Sequence, residues 1–275
     1  MIESLNNILK LMLNTGKKLK FVLQSALFFI FLVLLSTRVL PLNWVQAGIL
    51  FVGVIAITTL VLHFPNIKIK TLAPATIMPV TLLVASLVFF SQYSDLGPFF
   101  KMFICAGFGF LYYLISLVDN VVLVVHEKEE AIPLYRAALS WSQVVQMLVA
   151  IPLLAGIYQA DNIKVPYTIV LILLTTIFIC YQFWVLSFDT DSKKLRVGEA
   201  VFLNLLICFF VVVANFCVVF IPGEEFLRAL VISTVMLFGI NYFTAYLKNS
   251  ITKRVLIQYA IIIAVFFSIL LVFNP

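Results

Sequence analysis

Apolar segments of about twenty residues follow one another along most of this chain. The hydrocarbon core of a bilayer is about 30 Å thick, and a helix rising about 1.5 Å per residue crosses it in about 20 residues. Hydrophobic residues occupy 64% of the 275 positions and charged residues 11%, whereas soluble domains average about 25% charged residues. The sequence therefore predicts an all-α fold, a polytopic bundle of transmembrane helices.

Nine apolar runs can be placed along the chain. They cover approximately residues 21–36, 44–62, 72–90, 99–118, 140–158, 167–186, 200–221, 226–246 and 255–273. The short turn at residues 222–225 separates two long runs, so the count depends on it most. Two crossings there give nine helices, and a reentrant pair is the alternative.

Lys and Arg are unevenly distributed among the connections between these runs. Fourteen of the 18 fall on the same side as the N-terminus, and the other four are Arg38, Lys101, Lys164 and Arg228. Because Lys and Arg accumulate in short cytoplasmic loops, we predict a cytoplasmic N-terminus and an external C-terminus. We expect the chain to cross a cell membrane, the cytoplasmic membrane, many times.

Residues 1–19 differ in pattern from the bundle of residues 20–275. Leu5, Ile8, Leu9, Met12 and Leu13 share one helical face, while Asn6, Asn7, Lys10 and Asn14 lie elsewhere. This pattern predicts a cytoplasmic amphipathic helix that lies on the membrane surface. A cleaved signal peptide is the competing interpretation, but the first apolar run ends without a small-residue cleavage site.

The fourth run carries a polar stripe. If the helix continues past Asp119, then Tyr112, Ser116, Asp119 and His126 lie on one face, and Asn120 is adjacent to Asp119. An ionisable residue inside a crossing is costly, which makes Asp119 a candidate functional residue. Two other interpretations remain open: the crossing ends before Asp119, which then meets the headgroups, or Asp119 serves only in helix packing.

A second candidate site lies in the connection after the sixth run. Asp189 and Asp191 could share a hard cation there, and Lys193 and Lys194 could bind phosphate. The alternative is a solvated loop that contains polar turn residues. A pair of acids two residues apart is a weak signal on its own.

Amide side chains fall inside several of the apolar runs. Seven of them are Gln24, Gln143, Gln146, Gln182, Asn204, Asn215 and Asn241. Amides inside a membrane commonly form hydrogen bonds between helices, and we expect that role for them.

No motif indicates a metal site or a cofactor. The run that starts at His126, HEKEE, lacks the second histidine of a zinc-binding HExxH helix, and no phosphate-binding glycine loop occurs. The net charge of +6 is explained by cytoplasmic loops and anionic lipid headgroups, so nucleic acid is not an expected partner. The expected partners are membrane lipids and, if the chain belongs to an assembly, other membrane proteins.

The helix count and topology are similar to those of the intramembrane prenyltransferases. That family carries Asp-rich motifs in the loops after the second and sixth helices, and Asp189 and Asp191 occupy the latter loop here. Residues 63–68, HFPNIK, contain no acid, so half of the ligands for diphosphate-bound magnesium would be missing. We therefore interpret the similarity as one of architecture alone.

Residues 131–138, AIPLYRAA, and the helix after them resemble a stretch of multi-pass membrane proteins from ultra-small, candidate-phylum bacteria. The resemblance covers about a quarter of the chain and brings no established activity. It implies a bacterial inner-membrane protein and assigns no site residues.

Three functions are compatible with these features. The first is a non-catalytic membrane assembly or scaffold component, because recognisable motifs and intramembrane charges are few. The second is a transporter or lipid-handling protein in which the polar stripe of the fourth helix faces the cytoplasm. The third is a membrane-embedded lipid-phosphate transferase that uses Asp189, Asp191 and the lysines after them.

The predicted topology can be tested by labelling single cysteines in a variant that lacks the four native ones. Cysteines placed at Lys193 and at Lys164 should react with a membrane-impermeant reagent from opposite sides of the membrane, because alternate loops lie on opposite sides. Reaction of both positions from the same side would contradict the nine-helix topology.

Overall fold

A computed structural model describes residues 17–40, 42–63, 67, 69–128, 133–160, 167–189, 192–193, 196–221 and 223–272. These residues form nine α-helices and no β-strand. The helices are α1 (Lys17–Ser36), α2 (Trp44–His63), α3 (Ile69–Gln92), α4 (Pro98–Lys128), α5 (Pro133–Gln159), α6 (Tyr167–Leu186), α7 (Val197–Val219), α8 (Glu225–Leu247) and α9 (Lys253–Val272). The predicted all-α bundle is confirmed. The amphipathic segment at residues 1–19 lies almost entirely outside the described residues.

Eight of the helices in this part of the chain are long and apolar enough to cross a membrane. In α9 the apolar part is shorter and covers Leu256–Val272. Both α7 and α8 contain 23 residues. Each is long enough to cross the hydrocarbon core fully, whereas each half of a reentrant pair would be much shorter. The chain is therefore an integral membrane protein built as a bundle of helices.

Contacts between helix ends divide the bundle into two faces. Where α1 begins, the ring of Phe21 lies 5.9 Å from that of His63 at the end of α2. Where α1 ends, Ser36 Oγ lies 3.9 Å from Sγ of Cys105, near the start of α4. We call these the proximal and the distal face, respectively. That the proximal face is cytoplasmic stays a prediction from the distribution of Lys and Arg.

Helix α5 occupies the centre of the bundle. It packs most extensively against α8 and α3, and it also contacts α4 and α6. The closest of these approaches passes Gly156, where a Cβ atom would lie 2.9 Å from Val88 Cγ1 and 3.0 Å from the Val88 backbone. A side chain at this position would therefore force α3 and α5 apart.

The peripheral helices bury less of their surface. Among the eight long spans, α2 and α7 have the smallest buried shares, and α9 packs mainly against α8. One of the contacts of α9 is between the rings of Tyr259 and Phe238, at 5.8 Å. These helices present broad apolar surfaces to the surroundings of the bundle, as expected for a protein whose solvent is lipid.

Local sequence explains where several helices begin and end. Pro98 and Pro133 occupy the first positions of α4 and α5, where the missing backbone N–H costs nothing. Before α2, the backbone N–H of Asn43 donates to Oε1 of Gln46 at 3.3 Å, which is half of a capping box. After α8, Asn249 adopts a positive φ of 49°, a conformation that asparagine tolerates and that commonly terminates helices.

Two helices extend beyond the predicted apolar runs. Helix α4 continues to Lys128 although its run ends at Val118, and α5 begins at Pro133 although its run starts at Ser140. The length of an apolar run reflects the thickness of the hydrocarbon, whereas backbone hydrogen bonds continue for as long as the local sequence favours a helix. Asp119 consequently lies within a continuous helix, and the polar stripe exists as one face.

Replacing Gly156 by Ala should destabilise the bundle by about 1–3 kcal/mol, the usual cost of overpacking a tight contact. Gly107→Ala is the matched control, because nothing lies within 4 Å of a Cβ atom there. The control should keep the wild-type melting temperature or exceed it slightly, since alanine favours a helix. Thermal unfolding in detergent measures both variants, and equal melting temperatures would contradict the close α3–α5 contact.

Candidate functional site

Asp119 is enclosed by the helices of the bundle. Only 1% of its surface is exposed, and the hydroxyl of Tyr181 on α6 donates a hydrogen bond to Oδ1 at 2.7 Å. Oδ2 is equally buried but has no hydrogen-bond partner within the described part of the chain. Burying a carboxyl group while one of its oxygens has no hydrogen-bond partner is energetically costly. Asp119 is therefore the leading candidate for a functional residue in the bundle.

The inner half of the predicted stripe forms a hydrogen-bonded junction with α1 and α2. Gln24 on α1 donates through Nε2 to the Tyr112 hydroxyl at 2.5 Å and to Thr58 Oγ1 on α2 at 2.9 Å. One turn beyond Tyr112, the Ser116 hydroxyl donates to the Tyr112 carbonyl at 2.9 Å. Tyr112, Ser116 and Asp119, which their spacing places on one face, are all buried, so this part of the stripe faces the interior.

The outer half of the stripe is less enclosed. Asn120 and His126 are half-buried, while Leu123 between them is fully buried. The His126 ring lies 4.4 Å from the ring of Phe188, the second residue after α6. His126 thus belongs to the proximal face, two helical turns beyond Asp119.

A series of rings connects this face with Asp119. The rings of Tyr181 and Trp184 are 5.7 Å apart, those of Trp184 and Phe188 are 5.9 Å apart, and Phe188 then meets His126. We call these four residues the aromatic series. Trp184 Nε1 is buried and has no hydrogen-bond partner among the residues described. Aromatic side chains therefore lie between Asp119 and the proximal face.

A second buried cluster joins α5, α6 and α8. Oε1 of Gln182 accepts hydrogen bonds from Ser142 at 3.1 Å and from Gln146 at 2.9 Å. Nε2 of Gln182 donates to Thr244 Oγ1 at 3.3 Å, and Gln143 donates to the same oxygen at 2.9 Å. This cluster ties the central helix to two neighbours.

The expected interhelical role of the seven amides is met by all but one. Besides the four glutamines above, Asn204 donates to Thr176 on α6 at 3.2 Å, and Asn215 accepts a hydrogen bond from Tyr158 on α5 at 2.5 Å. Asn241 is the exception, because it donates to the Leu237 carbonyl of its own helix at 2.9 Å.

The second predicted site has a different arrangement. Oδ2 of Asp189 forms an ion pair with Lys248 Nζ at 2.9 Å, and the backbone N–H of Lys193 donates to the Leu247 carbonyl at 2.8 Å. These contacts fasten the connection after α6 to the end of α8. A cation at Asp189 would have to displace Lys248.

Only part of that predicted site can be placed. Asp191 and Lys194 lie outside the described residues, and Lys193 lies 3.8 Å from Glu199 in an exposed pair. Exposed pairs of this kind contribute at most about 1 kcal/mol. Among the residues that the structure describes, no three His, Cys, Asp or Glu side chains are grouped so that they could hold a metal ion.

The distal face contains a titratable group outside the crossings. Tyr93 follows the last residue of α3, and burial raises the pKa of its phenol, with smaller contributions from the carboxylates of Glu225 and Glu224. This phenol therefore stays neutral at physiological pH and acts there as a hydrogen-bonding group.

Sequence reasoning missed Tyr181, the hydrogen-bond partner of Asp119, and the rings beside it. Tyr181 and Trp184 on α6 and Phe188, just after its end, recur at helical spacing, which was the available signal. Aromatic residues at that spacing are common on any helix of a membrane bundle, so the pattern alone did not identify the face that meets α4.

Replacing Gln182 by Leu should lower the free energy of unfolding by about 1–3 kcal/mol, because three interhelix hydrogen bonds disappear and Gln146 loses its acceptor. Gln258→Leu is the control, since Gln258 is exposed on α9. Thermal unfolding in the same detergent compares the two. A Gln182→Leu variant as stable as the control would show that the cluster contributes little to stability.

The chain was also compared with known proteins. No protein-family model, curated protein or solved structure matches it. The roles of these side chains are accordingly argued from their own geometry.

Proposed function

We propose that this integral membrane protein is a non-catalytic assembly or scaffold component of the cytoplasmic membrane. The observation that carries the proposal is the use of polar side chains inside the bundle. Six of the seven amides named above bond to side chains of other helices, and so they hold the helices in fixed positions. Membrane lipids and other membrane proteins would be its partners.

The hydrogen bonds reach most of the bundle. Gln24 joins α1 to α2 and α4, Tyr181 joins α6 to α4, and Gln182 joins α6 to α5 and α8. Tyr158 joins α5 to α7. A framework of this kind favours a protein that keeps one shape and presents its outer surface to partners.

The continuity of the helices supports the same proposal. Pro74 and Pro79 lie within α3, and Pro152 lies within α5, yet both helices continue through them. Transporters commonly have interrupted helices whose freed backbone groups bind the substrate. The spans described here lack such interruptions.

The outer surface is suited to contact with other membrane components. Helix α7 presents a row of exposed aromatic side chains, which are Phe202, Phe209, Phe210, Phe216 and Phe220. Large apolar side chains of this kind pack against lipid chains and against neighbouring helices by van der Waals contact.

The assembly role predicts a complex in the native membrane. After cross-linking in membranes and extraction in a gentle detergent, the protein should migrate with a defined stoichiometry and a mass above the 31.0 kDa of one chain. Asp119→Asn should leave that complex intact, because Asp119 faces the interior. Recovery of a monomer from cross-linked membranes would contradict the proposal.

One observation favours a second candidate, a transporter or lipid-handling protein with a site at Asp119. The unmet Oδ2 atom of this buried carboxyl group would then be the point of contact with the ligand. In that case Asp119→Asn should abolish flux in reconstituted vesicles while expression is unchanged. Asp95→Asn, in the exposed loop after α3, is the matched control and should retain flux.

A further inference from the structure

The boundary between α4 and α6 differs from the tightly packed boundaries of the bundle. Helix α4 packs extensively against α1 and α5, and α6 packs against α7, α8 and α5. Between α4 and α6, long side chains make the contact, through the Tyr181–Asp119 hydrogen bond and the His126–Phe188 ring contact. We call this boundary the α4–α6 seam. Side chains can leave such a seam by rotamer changes, without separation of packed backbones.

The inner end of the seam lacks a positive partner. Within the described part of the chain, Asp119 Oδ2 is buried and accepts no hydrogen bond, and Asp119 takes part in neither of the described ion pairs. Gln24 on α1, beside Tyr112, contributes a second buried oxygen, Oε1, that has no donor among the same residues. Two unmet oxygens along one polar stripe call for species that donate hydrogen bonds or carry positive charge.

The outer part of the seam has the chemistry of a passage for cations. The aromatic series extends from Tyr181 beside Asp119 to His126 and Phe188, which are partly exposed at the proximal face. The faces of tyrosine, tryptophan and phenylalanine rings attract cations electrostatically. A carboxyl group at the inner end of a series of rings therefore favours a positively charged ligand.

Charge and space limit which cation is suitable. A single carboxylate balances one positive charge, and a divalent ion would leave an uncompensated charge in a low-dielectric interior. The site is enclosed, with 1% of Asp119 exposed, so a small inorganic ion would require less rearrangement of the neighbouring side chains than an organic one.

We infer that Asp119 binds a small monovalent cation through Oδ2, and that the aromatic series is the closed entrance to this site from the proximal face. The inference goes beyond the assembly role, because binding requires neither a partner protein nor transport. The Tyr181 hydroxyl, by donating to Oδ1, orients the carboxylate so that Oδ2 is left for the ion.

The test uses the purified full-length protein in detergent. Na⁺, Li⁺ and K⁺ are titrated in turn against N-methylglucamine at constant ionic strength, and the melting temperature is recorded. At least one ion should raise it saturably, by about 3 °C or more, since a ligand that binds only the folded state stabilises that state. Asp119→Asn should abolish this rise, and Asp95→Asn, the same change in an exposed loop, should retain it.

A second measurement covers the case in which Asp119→Asn does not fold. With Trp44 and Trp141 replaced by Phe, the remaining Trp184 reports on the seam by fluorescence. Its emission should change over the same ion concentrations as the melting temperature. Tyr181→Phe, which removes the hydroxyl that orients the carboxylate, should shift the response to higher ion concentrations, and Asp95→Asn should leave it unchanged.

Two results would overturn the inference. One is a wild-type protein in which neither melting temperature nor Trp184 emission responds to any of the three ions. The other is an undiminished response in Asp119→Asn. Either result leaves the assembly proposal untouched, because that proposal is tested by complex formation in membranes.

Discussion

Hydrocarbon offers no hydrogen bonds, and this constraint organises the whole structure. Each polar group that enters the bilayer must find its partner within the protein, so backbone groups pair inside continuous helices and side chains pair between them. Gln182 shows the result most clearly, since one amide satisfies groups on two neighbouring helices. The Tyr181 hydroxyl on α6 likewise donates a hydrogen bond to one carboxyl oxygen of Asp119 on α4. A few buried side-chain atoms, among them Asp119 Oδ2, Gln146 Oε1 and Thr175 Oγ1, have no hydrogen-bond partner among the described residues and stand out for that reason.

Hydropathy predicts a large part of this architecture. The apolar runs correspond to the nine helices of the described chain, and the turn before Glu225 separates two full crossings as expected. Hydropathy predicts length well because bilayer thickness sets it. It predicts the ends of helices poorly, as at Lys128 and Pro133. A helix that has left the hydrocarbon can continue with polar residues, which hydropathy does not detect.

The interior of the site is harder to predict for a different reason. The spacing of Tyr112, Ser116 and Asp119 shows that they share a face, but the rotation of α4 about its axis depends on all of its neighbours. The partner of Asp119 is 62 residues away in the chain, and the partner of Asp189 is Lys248, beyond two further helices. Such pairings follow from the three-dimensional packing of the bundle and leave no mark at short range in one sequence.

The attachment of α9 has a consequence for how the bundle could be remodelled. None of the interhelix side-chain hydrogen bonds described above involves α9, which is held to α8 by shape and by contacts such as that between Tyr259 and Phe238. In lipid, apolar surface gains little from being covered by protein, since the acyl chains are equally apolar. Detachment of this last helix would therefore leave unbroken the polar framework that joins seven helices, α1, α2 and α4 to α8. Its place on α8 could be taken by acyl chains at small energetic cost.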